Sequence, residues 1–123
     1  MSQSASQAAA FYREVSASRI LWTIRDESGF PAPLKPDGKR SMPFWSSRRR
    51  VERVITTVSA YSGFEPHEIS WDDFCQKWAS GLEADGLLVG VNWSGPHATG
   101  YDLPPAQVVR NVESTRVAPD DTK

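Results

Sequence analysis

The run "LLVGVNW", Leu87 to Trp93, decides the fold of this 123-residue chain. It is apolar almost without interruption, and the Asp85-Gly86 pair before it marks a turn. A strand that is apolar throughout, rather than at every second place, is covered on both faces. The run therefore predicts the central strand of a sheet.

Working outward, the segment before it predicts a helix. Ser70 with Asp73 resembles a capping box, and Trp71, Phe74, Cys75, Trp78 and Leu82 form one apolar stripe. That stripe implies that Phe74 and Trp78 are both buried. "EPHEIS" predicts a short strand around His67 to Ile69. Further back lies "FWSSRRRVERVI", Phe44 to Ile55, where Val51, Val54, Ile55 and Val58 repeat at helical spacing. Ser46 or Ser47 is positioned to cap this helix, and Gly63 to stop it. "KPDGK" predicts a hairpin through Asp37-Gly38 that pairs residues near Leu34 with Ser41 to Trp45. "RILWTIRDE" alternates, with Ile20, Trp22 and Ile24 on one side of a strand. Ala8, Phe11, Tyr12 and Val15 predict a first helix, with Ser4 and Gln7 as its capping pair. Beyond the central run, "SGPHATGYD" reads as a loop. Pro104 and Pro105 then open a last helix with Val108, Val109 and Val112 inside and Asp102 as a candidate cap. The expected class is α+β (mixed α/β), a small mixed sheet of four to five strands packed by about four helices. One domain spans residues 6–113, with residues 1–5 and 114–123 expected to be disordered.

Composition narrows the function classes. A net charge of −1 argues against a globally basic nucleic-acid binder. A single cysteine excludes an internal disulfide and a cysteine-based metal cluster, which suits a reducing cytoplasm. No apolar run approaches the roughly 18 residues of a membrane span, and "MSQSASQAAAF" lacks the layout of a secretory signal. The expectation is a cytoplasmic protein.

"FYREV", "LWTIRD", "MPFWSS", "WDDFCQKW" and "DGLLVGVNW", taken in that order, resemble the bacterial domain of unknown function 2750 (DUF2750). The likeness covers roughly positions 11 to 112 and implies a fold without supplying any chemistry. The "NWSGPHATGYD" loop is longer than is usual in that family. "PFWSSRRRVE", a strand running into a capped helix, is more loosely similar to the amino-terminal part of SseB-type domains.

Charge is unevenly distributed. Lys35, Lys39, Arg40, Arg48, Arg49, Arg50 and Arg53 face only Asp37 and Glu52, a net +5 over residues 35–53. Residues 65–85 carry a net −5. The two segments can pair on a solvated surface, each exposed pair contributing roughly 0–1 kcal/mol. Alternatively, Ser46, Ser47 and the first-turn N–H groups bind an anion, with Arg48 or Arg49 closing over it. The stem of Arg50 is expected to pack while its head reaches water. Trp45 and Trp93 each end a strand beside this segment, next to the loop that carries His97.

Other constellations are weaker. Ser94, His97 and Asp102 share one loop, too little to fix a catalytic triad. Glu65 and His67 are at best a two-ligand fragment. Cys75 reads as an inert core thiol. The chain is therefore expected to be a non-enzymatic module without metal or cofactor, binding a protein partner through Trp45, Ser46, Ser47, Arg48, Arg49, Trp93 and His97. The alternative is a small anion or nucleotide at the same helix start, with weak hydrolytic activity at most.

Overall fold

The computed structural model describes residues 2–115 and places the decisive run in β4 (Leu88–Ser94), at the centre of a three-stranded sheet. The elements before it are α1 (Gln3–Ser18), β1 (Ile20–Arg25), β2 (Ser41–Phe44), α2 (Arg48–Thr57), a 3-10 turn (Ser59–Tyr61) and β3 (Glu65–Ser70). Next comes a continuous helical stretch: α3 (Trp71–Asp73), a π-helical turn (Phe74–Trp78) and α4 (Ala79–Ala84). After β4 come β5 (Thr99–Leu103) and α5 (Pro105–Thr115). This is an α+β architecture.

β2 runs parallel to β4, Ser41 opposite Leu88 and Phe44 opposite Val91, and β5 pairs antiparallel on the other side. β1 and β3 form a separate antiparallel pair, with Ile20 opposite Ser70 and Arg25 opposite Glu65. One bridge joins the two sheets: Trp22 and Trp45 exchange both backbone hydrogen bonds, at 2.8 and 2.7 Å. Two places earlier, Pro43 has no N–H to offer β1. There the Thr23 hydroxyl donates to the Pro43 carbonyl at 2.7 Å, so a side chain replaces the missing rung.

Apolar residues cover both faces. Phe11 and Val15 of α1, Leu21, Phe44, Ile69, Trp71, Phe74, Val89, Val91, Val108 and Val112 form the larger cluster. Ile24, Trp45, Val51, Val54, Val58, Trp93 and Ala98 form the second, beneath α2. In β4, Val89 and Val91 point into the first cluster. Strict alternation would send Trp93 the same way, but a bulge lies between Val91 and Ser94, with Asn92 left-handed at φ 49°. The extra residue turns Trp93 onto the α2 face.

Several expectations change. "SGPHATGYD" is not all loop, because Thr99 to Leu103 form β5. Asp102 does not cap α5; its carboxylate is held by Trp93 and Lys35. Ser2 rather than Ser4 caps α1, accepting from the Ala5 N–H at 3.1 Å. α2 stops at Thr57, well before Gly63. The Asp37-Gly38 turn forms with Gly38 at φ 87°, and Leu34 pairs with Arg40. Trp78 is half-buried, unlike the fully buried Phe74. α1 starts inside the expected frayed stretch and α5 reaches Thr115; the rest of the expected tail lies outside the described residues. No helix among them is long and apolar enough to cross a membrane.

Candidate functional site

The start of α2 governs this region. Ser47, extended at φ −154°, accepts the Arg50 N–H on its hydroxyl at 3.2 Å, and its carbonyl accepts from Val51 at 3.3 Å. The N–H groups of Arg48 and Arg49 are left at the end of the helix without an intrahelical acceptor. With Val51 and Val54 facing inward, helical periodicity sends Arg48 and Arg50 in different directions and puts Arg49 and Arg53 on one face.

Arg48 turns away from α1. Its Nε lies 2.7 Å from Glu52 Oε2, and its guanidinium sits 5.5 Å from the Trp22 ring centroid. Arg50 does not reach water with its head, contrary to the sequence expectation. Its Nε and Nη2 donate to Glu14 Oε1 and Oε2 at 3.0 and 2.9 Å, and Nη1 donates to Gln7 Oε1 at 2.6 Å. Arg49 and Arg53, one turn apart, are exposed and have no acidic partner among the described residues. Both line a half-open cleft of about 670 Å³ between α1, α2 and the β4–β5 turn.

A buried polar network forms the floor. Ser46 Oγ donates to Glu14 Oε1 at 2.6 Å, and the Ser46 N–H donates to Asn92 Oδ1 at 2.9 Å. Asn92 Nδ2 donates to the Gln7 carbonyl at 3.2 Å. The left-handed backbone of Asn92, strained for a residue other than glycine, aims its amide at both α1 and Ser46. The hydrogen bonds from Arg50 hold the Glu14 carboxyl below the usual carboxylate range. They outweigh the upward push of burial, and the Ser46 hydroxyl helps. Ser46 is thus committed to Glu14 and Asn92, and is not the free anion donor expected from sequence.

Both tryptophans are structural walls, 1% and 2% exposed. Trp45 Nε1 donates to the Trp93 carbonyl at 2.8 Å, and Trp93 Nε1 donates to Asp102 Oδ1 at 3.0 Å. Lys35 Nζ pairs with Asp102 Oδ2 at 3.0 Å and stands 4.4 Å over the Trp93 ring. Asp102 is therefore occupied. His97 is exposed beside a smaller hollow of about 220 Å³ and does not line the basic cleft. His67 packs edge-on against Phe30, and burial, with Arg25 nearby, lowers its pKa. Burial, followed by Glu113, pushes the Cys75 thiol up. No group of three residues suited to a metal occurs among the described residues.

Of the seven residues singled out from sequence, Trp45, Ser47, Arg49 and Trp93 line the cleft; Ser46 does not, but it is bonded to Glu14 and Asn92, which do, while Arg48 and His97 lie outside. Arg53, Arg50, Glu14, Gln7 and Asn92 were missed. Only Arg53 had a sequence signal, its spacing of four from Arg49. No ion pair joins residues 35–53 to residues 65–85 among the described residues, so the basic and acidic segments do not neutralise each other.

Neither a search of curated proteins nor a search of solved structures finds a match. The profile of a family described as "Protein of unknown function (DUF2750)" matches residues 8–112, which include Arg49, Arg50 and Arg53 of the cleft, the Glu14–Ser46–Asn92 network and both of its tryptophans. The chain belongs to the DUF2750 family.

Proposed function

We propose that this protein is a non-enzymatic cytoplasmic binding module that takes an anionic ligand into the cleft beside α2. One observation carries the reading. Arg48 and Arg50 have carboxylates of their own chain, whereas Arg49 and Arg53 line the cleft with none among the described residues. Guanidinium groups on a concave wall, next to helix N–H groups that lack acceptors, favour an anion. A non-enzymatic role is supported by the state of Glu14, the cleft's only carboxylate among the described residues, which Arg50 keeps ionised and weakly basic. Docking of a protein partner was expected through the arginine helix and the neighbouring aromatic loop, with Trp45 and Trp93 as its aromatic anchors. Both are buried, so the small-anion reading has the better support.

The test is thermal unfolding of the wild type and an Arg49→Gln/Arg53→Gln variant across a panel of phosphate, citrate and nucleotides. At least one anion should raise the wild-type midpoint with concentration, as mass action requires, and leave the variant unmoved. A flat wild-type response, or equal shifts in both proteins, would remove the reading. A stoichiometric protein partner recovered in a pull-down would then favour docking.

A further inference from the structure

The charges of the cleft can be counted. Among the described residues its charged lining is Glu14, Arg49, Arg50 and Arg53, a net charge of +2. Since Arg50 and Glu14 satisfy each other, that excess sits on Arg49 and Arg53. A ligand that neutralises it carries two negative charges.

The donors say more. Arg49 and Arg53 lie on one face of α2 at a spacing of four, close enough for both forks to meet at one group. The N–H groups of Arg48 and Arg49 open beside them. A carboxylate has two oxygens to share among these donors. A phosphate monoester has three terminal oxygens and carries nearly two charges at neutral pH. The space says the rest. About 670 Å³ falls within the roughly 300–1,000 Å³ of small-molecule sites and far exceeds the needs of a bare phosphate. Gln3 and Gln7 on α1 and Ser94 at the end of β4 line the same space and offer amides and a hydroxyl, with Gln7 Oε1 taken by Arg50 and its amide nitrogen left as the donor.

We propose that the cleft binds a small organic phosphate monoester with a hydroxyl-rich body, its phosphate between Arg49 and Arg53 and its hydroxyls toward Gln3, Gln7 and Ser94. This rests on the cleft being an anion site. The body's hydroxyls match the uncharged amides of α1, and the tetrahedral phosphate matches the convergent donors of α2.

Titration calorimetry on the full chain separates the two ideas, using ribose 5-phosphate, ribose, inorganic phosphate and glutarate as probes. Ribose 5-phosphate should bind at least tenfold more tightly than each of the others. Its affinity should rise between pH 5 and pH 7 as the second phosphate proton, with a pKa of about 6, is lost. Arg49→Gln and Arg53→Gln should each weaken it tenfold or more, while Arg110→Gln, on the exposed side of α5 and outside the cleft, should not. Unchanged unfolding midpoints would exclude a folding defect. Glutarate or inorganic phosphate binding as tightly as the ester would overturn this proposal and leave the anion site standing. Saturation by none of the anions would overturn both.

Discussion

Arg50 and Glu14 meet as a two-point fork across 36 residues of sequence, Nε to Oε1 at 3.0 Å and Nη2 to Oε2 at 2.9 Å. The pair ties α2 to α1 at the floor of the cleft and removes one arginine from the pool available to a ligand. Both side chains are about one-third exposed, so the geometry rather than full desolvation gives the pair its value. Glu14→Gln and Arg50→Gln should each cost about 1–3 kcal/mol in urea unfolding. Because both act on one contact, the double variant should cost clearly less than the two single losses together. Simple additivity would show that the fork contributes nothing.

The same contact predicts a pH dependence. The Glu14 carboxyl is lowered from its ordinary 4.5, chiefly by its hydrogen bonds to Arg50. The unfolded chain then binds the proton more readily than the native one, so stability falls as pH falls. The contribution is whole above about 4.5 and is lost as pH drops through the lower native value. His67, lowered from 6.5 mainly by burial, also costs stability in acid, but it is present in both proteins. The difference between wild type and Glu14→Gln should therefore shrink below pH 4.5. A constant gap down to acid denaturation would contradict the assignment.

Trp93 depends on the glycines beneath it. A Cβ added at Gly90 would clash with Cε2, Nε1 and Cζ2 of Trp93, and one at Gly100 would lie 2.9 Å from its Cδ1. The indole cannot swing clear without losing the Asp102 hydrogen bond and its place beneath α2. Gly90→Ala should cost about 1–3 kcal/mol by overpacking. Gly63→Ala, with open space around it and no positive φ, should stay within about 0.5 kcal/mol. Equal effects would show that Trp93 is not seated on Gly90.

Burial separates Phe74 from Trp78. Phe74 is fully buried, edge-on to Phe44 and stacked on Trp71, so Phe74→Ala should cost about 3–5 kcal/mol. Trp78 is half-buried against Phe30 and Phe44, and Trp78→Ala should cost clearly less, about 1–2 kcal/mol. The reverse order in chemical denaturation would place the π-helical turn the wrong way round.

Much of this architecture was legible in the residues, and the gaps have physical causes. β4 was readable because a strand covered on both faces is apolar throughout. β5 was not, because "TGYDL" includes Gly100 and Asp102 and becomes a strand through pairing with β4. The side taken by Trp93 was hidden by the bulge at Asn92, which no local pattern announces. In the cleft, Ser47 and Arg49 followed from the helix start alone. Glu14 could not, since its value lies in a partner on another helix. That partner also reverses the expectation for Arg50: a guanidinium expected in water is held by a carboxylate and an amide.

The most direct measurement of the central claim is a two-dimensional amide NMR titration of the full chain with ribose 5-phosphate. The account predicts saturable shifts at the Arg48 and Arg49 amides, at the Asn92 side-chain amide and at Gly95, with the Lys35–Lys39 turn unmoved. Shifts centred on that turn, or changes that grow without saturating, would contradict it and take the cleft beside α2 out of consideration as the binding site.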